Sequence, residues 1–237
     1  NCGRKNILAN DGDLVNSITV KMLDGLSPEL LTGREKLEGK QSVSFKTIYR
    51  GIKAGYFKRP EKELLVRKGK KYKSEASETR GKIKNAVSIS ERPNSADKRL
   101  EIGHFESDTI VGKNHKGAIA THVCRKSRFL IADLMPDRKA ETMLETSIKL
   151  FSDLPLEAIK SFTNDNGKEF SKHEELDEAL HARSYFAHPY HSWERGTNEN
   201  TNGLIRRYFP KGTDFTKLEV EEVRKIVEKL NNRPRKV

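Results

Sequence analysis

The sequence predicts a mixed α/β layer domain over residues 101–237, preceded by a small all-α domain over residues 1–57. Three observations carry this expectation. Apolar residues recur at helical spacing in the first segment, strand-like runs begin abruptly near residue 101, and positive charge is concentrated ahead of that switch. The net charge is +12, and residues 1–100 hold 23 Lys/Arg against 12 Asp/Glu, whereas residues 101–237 hold 23 against 22. Such asymmetry suggests a polyanion partner for the basic half, with nucleic acid the first candidate because Lys and Arg contacts to phosphate release counterions. Charge alone makes an equal case for a solvated basic tail.

In the first segment Leu14, Ile18 and Met22 recur every four residues. Ser27-Pro28-Glu29 has the form of a helix start: a capping hydroxyl, Pro at the first helical position and an acid in the first turn. Ser44 is placed to cap a third helix ending at Gly55. Within it Phe45, Ile48, Tyr49 and Ile52 form one stripe at i, i+3, i+4, i+7, and Lys46, Thr47, Arg50 and Lys53 face the other way. Three short helices with a basic, hydroxyl-bearing last helix suggest a helix-turn-helix unit whose last helix enters the major groove. A helical bundle with a solvated basic face is the alternative. Residues 58–100 read as a basic linker, with Arg67-Lys68-Gly69-Lys70-Lys71-Tyr72-Lys73 as its densest run.

From residue 101 the predicted strands are 104–111, 117–124 and 129–135, joined by short turns as an antiparallel meander. A helix follows at 139–151 with Met143, Leu144, Ile148 and Phe151 on one side. Then come a strand at 159–163, a helix at 172–180, a short strand at 184–187, and closing helices at 198–208 and 217–230. This antiparallel-then-parallel order is the one expected of ribonuclease-H-like nucleases.

Three acids stand at telling places in that order. Asp108 lies mid-strand, where propensity and burial both disfavour a carboxylate, so it needs a reason such as a cation. Asp165 stands just past the fourth strand, in Thr163-Asn164-Asp165-Asn166-Gly167, which by itself is ordinary turn chemistry. Glu199 opens a helix, where an acid complements the helix dipole without further purpose. Together they offer hard oxygen ligands for two Mg²⁺ or Mn²⁺ ions, with Asp108 bridging and Asp165 and Glu199 each holding one.

At these residues the chain resembles the bacterial DDE transposases of the IS30 class. The resemblance rests on Gly103-His104-Phe105-Glu106-Ser107-Asp108, on Asn164-Asp165-Asn166-Gly167-Lys168-Glu169-Phe170, and on Trp193-Glu194-Arg195-Gly196-Thr197-Asn198-Glu199-Asn200-Thr201-Asn202-Gly203-Leu204-Ile205-Arg206. The 33 positions between Asp165 and Glu199 match the spacing this family uses. Phe105 and Ser107 depart from it, since members often carry Trp and Gly there. The resemblance implies a ribonuclease-H-like core of the retroviral-integrase type over residues 101–237, DDE chemistry, and recognition of terminal inverted repeats and target DNA. It also implies a homodimer or higher oligomer in the synaptic complex, a bacterial cytoplasmic, nucleoid-associated location, and a further DNA-binding module upstream of Asn1.

Helix geometry puts Glu199, Asn202 and Arg206 on one face, making Arg206 a candidate for a DNA phosphate. Lys168 and Arg195 are further phosphate candidates, and Trp193 is placed to stack on an unpaired base. The histidines suggest no metal cluster, although His104 and His122 lie near enough in sequence to approach the active face. Cys2 and Cys124 lack disulfide or zinc spacing, and Cys124 reads as a buried strand residue. No apolar run reaches the length of a membrane span. Two other readings remain open: a DNA-binding regulator derived from a transposase and lacking catalysis, and a nuclease acting on RNA or Holliday junctions.

Overall fold

The computed structural model describes residues 7–40, 43–65, 83–189 and 191–234. The basic run at 67–73 lies outside them. The chain forms two compact units, one built on residues up to 73 and the other on 74–232.

The first unit contains α1 (Ile7–Asn10), α2 (Gly12–Leu23), α3 (Pro28–Leu37), α4 (Phe45–Lys53) and α5 (Glu61–Leu64). The caps follow from the sequence. Asp11 accepts from Leu14 N, Ser27 from Leu30 N with Pro28 opening α3, and Ser44 from Thr47 N. Ile18, Met22, Leu31, Ile48 and Leu64 are buried together in its core. Phe45 departs from the expected stripe and is 38% exposed. Helical side chains lean toward the N-terminus, so that of the first residue leans past the end of the bundle. Tyr49 is half-buried, and its hydroxyl donates to Glu29 at 3.1 Å. Lys46, Arg50 and Lys53 are exposed and Thr47 is half-buried.

The second unit runs through α6 (Asn94–Asp97), β1 (His104–Val111), β2 (Ala118–Cys124), β3 (Leu130–Met135), α7 (Ala140–Phe151), β4 (Ser161–Asn164), α8 (His173–Leu180), β5 (Arg183–Phe186), α9 (Gly196–Tyr208) and α10 (Val220–Asn231). Its sheet has the order β3-β2-β1-β4-β5. The meander β1-β2-β3 is antiparallel, whereas β4 runs parallel to β1 and β5 parallel to β4. This is the ribonuclease-H-like arrangement.

Alternation along β1 sends residues to opposite faces. On one face Phe105 meets Phe151 and Phe162, in the cluster that includes Leu176 and Leu180 of α8. On the other, Ile110, Ile119 and Val123 pack against Ile205 of α9 and Val223 and Leu230 of α10. Gly103 opens β1 with φ +98, and a Cβ there would stand 2.6 Å from Ala158 O. Only glycine fits that turn, and its carbonyl accepts from Lys160 N at 2.9 Å, aligning β1 with β4.

Residues 83–100, expected as linker, pack onto this unit. Ile89 and Ala96 are buried, Phe186 N donates to Val87 O at 2.8 Å, and Arg125 Nε donates to Ala96 O at 2.9 Å. Isolated apolar residues in a polar stretch gave no periodic signal, and it takes the sheet edge and Arg125 to recruit them.

His122 lies on the face opposite Asp108, so it does not approach the acids. Its ring is fully buried between Ser107 Oγ at 2.8 Å and Ser147 Oγ at 3.2 Å, and burial pushes its pKa down to about 3. A His with a depressed folded pKa is held neutral in the fold, while the unfolded chain takes up a proton below the ordinary value. Stability should therefore fall as pH drops from about 6.5 toward 3, by at most about 1.4 kcal/mol per pH unit from this group. Urea melts of wild type and His122→Gln should diverge in pH dependence across that window. Parallel pH profiles would remove His122 from the account.

Candidate active site

The pairing register places the first two acids side by side. Glu106 of β1 pairs with Thr163 of β4, and the parallel ladder carried two residues further sets Asp108 beside Asp165. A guanidinium stands between them. Arg195 Nη1 lies 3.6 Å from Asp108 Oδ2, and its Nη2 lies 3.4 Å from Asp165 Oδ2. Nη1 also donates to Ser107 O at 3.2 Å. Arg195, expected on a DNA phosphate, thus occupies the centre of the carboxylate pair.

Each aspartate is aimed by its neighbours. Asp108 Oδ1 accepts from Thr109 N at 2.8 Å, and Oδ2 accepts from Asn202 Nδ2 at 3.0 Å. Burial pushes the Asp108 carboxyl pKa up, opposed by Arg195 and reinforced by the negative charges of Asp165 and Glu169. Asp165 Oδ1 accepts from Gly167 N at 2.8 Å. A Cβ at Gly167 would lie 2.7 Å from that oxygen and 2.5 Å from Glu169 Oε2, so a larger residue would push both carboxylates aside. Glu169 is a fourth acid beside the pair. It is buried, accepts from Thr109 Oγ1 at 2.9 Å, and is paired with Arg138.

Glu199 arrives on α9. Asn202, one turn further along, touches Asp108, and residues three apart share a helix face, so the start of α9 lies over β1. The Glu199 carboxylate is exposed, and among the described residues no hydrogen bond or ion pair holds it. The structure therefore brings Asp108 and Asp165 together and leaves Glu199 at the rim.

A buried network that the sequence reading missed fixes the helix there. Glu106 is fully buried and paired with Arg125, and its Oε2 accepts from Asn198 N at 2.9 Å. The carboxylate thereby caps a first-turn amide of α9 from across the sheet. Asn198 Nδ2 returns a bond to Glu106 O at 2.9 Å. Thr121 Oγ1 lies 3.1 Å from Asn198 Oδ1 and 3.0 Å from Asn202 Oδ1. One signal was available: Glu106 and Asp108 are two residues apart on a strand and so share a face.

The remaining candidates are scattered. Lys168 is exposed beside Asp165. Trp193 is 66% exposed and makes an edge contact with His191 at 4.4 Å. Arg206 turns inward: Nη2 donates to Val111 O at 2.6 Å, Nη1 to Phe209 O at 3.5 Å, and the guanidinium lies over Phe215. His104 shares the Asp108 face but is bound to Ser161 and Glu101. Contrary to the expectation of no histidine cluster, His188, His191 and Glu194 bring ligand atoms within 4.8 Å of one another. Cys124 is a buried free thiol. Among the described residues no helix is long and apolar enough to cross a membrane.

A divalent ion fits the paired aspartates. Their donors are hard carboxylate oxygens, and a cationic group already stands between them while like charge and burial raise the Asp108 pKa.

No family model matches the sequence. Among curated proteins, a transposase for insertion sequence element IS4351 of Bacteroides fragilis is 44% identical over 223 residues, covering 92% of this chain and 68% of that protein. A transposase for IS1086 of Cupriavidus metallidurans is 38% identical, covering 82% of this chain and 59% of that protein. Transposase InsI for IS30A of Escherichia coli is 35% identical, covering 89% and 58%. This chain thus spans between 58% and 68% of the length of these three relatives. The catalytic core domain of BIV integrase aligns at a TM-score of 0.44 and 20% identity, over 57% of this chain and 87% of that one, and the fold assignment rests on strand order instead. Identity at this level across most of the sequence, with the paired acids in place, means that the chain belongs to the IS30-type family of insertion-sequence transposases.

Proposed function

We propose that this chain is the DNA-recognition and catalytic part of a transposase that cuts DNA at an element's terminal inverted repeats and joins the freed end to target DNA. The observation that carries the reading is that Asp108 on β1 and Asp165, just past the end of the neighbouring parallel strand β4, share one guanidinium. Asp108, Asp165 and Glu199 would hold the divalent ions, Mg²⁺ or Mn²⁺. Such ions, when bound, stabilise charge on the attacking and leaving oxygens of an in-line displacement.

The chain's own residues supply the rest. Thr109 N and Asn202 orient the Asp108 carboxylate, and the bond from Thr109 N opposes the burial that raises its pKa. Arg195 sets its positive charge between the two carboxylates and offsets their mutual repulsion. In the first step a water oxygen attacks phosphorus, the P–O3′ bond breaks, and a 3′-hydroxyl is freed. In the second, that hydroxyl attacks a target phosphorus and displaces the target's own 3′-oxygen. Neither step needs a covalent bond between protein and DNA.

Lys46, Thr47, Arg50 and Lys53 on α4 would read a groove or its phosphates, and Lys168 and Trp193 would meet the DNA end. Arg206 donates to Val111 O and Phe209 O, so a DNA phosphate would have to compete with those carbonyls for it. Synapsis of two ends calls for a homodimer or higher oligomer, acting in the bacterial cytoplasm where the element's DNA lies.

The test is cleavage of a labelled duplex carrying the element end, in Mg²⁺ or Mn²⁺, by wild type and Glu199→Gln. Wild type should cut at the end, and the variant should lose activity by about a hundredfold or more, the loss expected when transition-state charge stabilisation is removed. Equal cutting would sink the assignment of Glu199. Binding without cutting by wild type would mark a DNA-binding regulator, and cutting indifferent to the terminal repeat would mark a general nuclease.

A further inference from the structure

We propose that His188, His191 and Glu194 form a second metal site, for a borderline divalent transition ion such as Zn²⁺, in the loop between β5 and α9. The site uses different donors from those of the three acids.

The backbone gathers the three side chains. His191 N donates to His188 O at 3.2 Å, and Glu194 N donates to His191 O at 3.0 Å. The second of these turns opens the 3₁₀ helix Ser192–Arg195. The ligand atoms of His188, His191 and Glu194 come within 4.8 Å of one another. Tetrahedral donors about 2.1 Å from zinc lie roughly 3.5 Å apart, so small side-chain rotations close the set.

Local partners pre-orient it. One Glu194 oxygen accepts from His188 N at 2.8 Å, and the other faces His188 Nδ1 at 2.8 Å. His188 Nε2 lies 3.2 Å from Ser90 Oγ. A metal-bound imidazole commonly donates its other N–H to such an oxygen, which fixes its tautomer. His191 Nδ1 is buried with no hydrogen-bond partner. Its ring is packed edge-on against Trp193 at 4.4 Å and His188 at 5.4 Å.

Two imidazoles and one carboxylate favour zinc over Mg²⁺, which prefers oxygen donors alone. Three protein ligands leave a fourth position for water or a phosphate oxygen. Glu194 directly precedes Arg195, and Glu199 follows within the first turn of α9. An ion here would tie down the segment that positions both, making transition metal a regulator of how firmly the rim of the active site is ordered.

The test is calorimetric titration of the untagged chain with Zn²⁺ in excess Mg²⁺, alongside thermal melts. Wild type and Asp108→Asn should each take up one Zn²⁺ and melt higher with it. His191→Ala and Glu194→Gln should bind at least about tenfold more weakly, the scale seen when a metal site loses a supporting group. If His191→Ala loses its native circular dichroism, Glu194→Gln carries the same comparison. Absence of saturable binding in wild type overturns the site. So does zinc uptake that survives both loop substitutions, or uptake lost in Asp108→Asn, which would place the ion on the acids.

Discussion

Asp108→Asn is expected to lower strand cleavage by about a thousandfold or more, on the order of 4 kcal/mol in the barrier, while the protein stays folded. The amide keeps the shape of the side chain and its contact with Thr109 N, but it removes the negative charge shared between the two aspartates. The same substitution should stabilise the protein without metal. Burial raises the Asp108 pKa, so the folded carboxyl holds its proton more tightly than the unfolded one. Ionisation then costs stability as pH rises through and above the carboxylate range. The variant should melt higher than wild type at pH 7, and the gap should shrink as the solution is acidified. Gel assays on a labelled element end and melts at two pH values read both effects. Cleavage within tenfold of wild type, or a lower melting temperature at neutral pH, would count against this account of Asp108.

Glu106→Ala should have the largest effect on stability. The residue is fully buried, paired with Arg125, and caps Asn198 N at the start of α9. Removing one member of a buried pair strands the other charge and typically costs about 3–5 kcal/mol. For a domain of this size that is a fall of roughly 6–20 °C in melting temperature. The double variant Glu106→Leu with Arg125→Met should recover much of the stability, since replacing both charges by apolar groups is close to neutral. It should not recover cleavage, because the carboxylate that fastens α9 to β1 is gone. A melting temperature within a degree or two of wild type for Glu106→Ala would show that the pair is not buried as described.

The contrast between these two residues shows what could be read before the fold was known. Asp108 was legible because a carboxylate in the middle of an apolar strand contradicts local propensity. Glu106 lies two residues away and passed unnoticed, because its partners Arg125 and Asn198 are 19 and 92 positions distant. For Arg195 and Arg206 the sequence alone suggests phosphate contacts. Their local sequence does not show that one guanidinium would settle between two carboxylates and the other on backbone carbonyls. The histidine cluster was illegible for a related reason: a spacing of three is unremarkable until the loop brings its side chains together.

By itself, the sequence determined the element order, the helix caps at Ser27 and Ser44, the strand that carries Asp108 and the turn that carries Asp165. These depend on periodicity and on groups within a few residues of one another, which is the range over which backbone geometry is set by local chemistry. Tertiary structure alone decided that Asp108 and Asp165 stand together, that Glu106 holds α9 over them, and that residues 83–100 belong to the α/β unit. Each of those joins parts of the chain far apart in sequence. Sheet register and burial, which raise the cost of any buried charge left unpaired, select the partner only once the chain has closed.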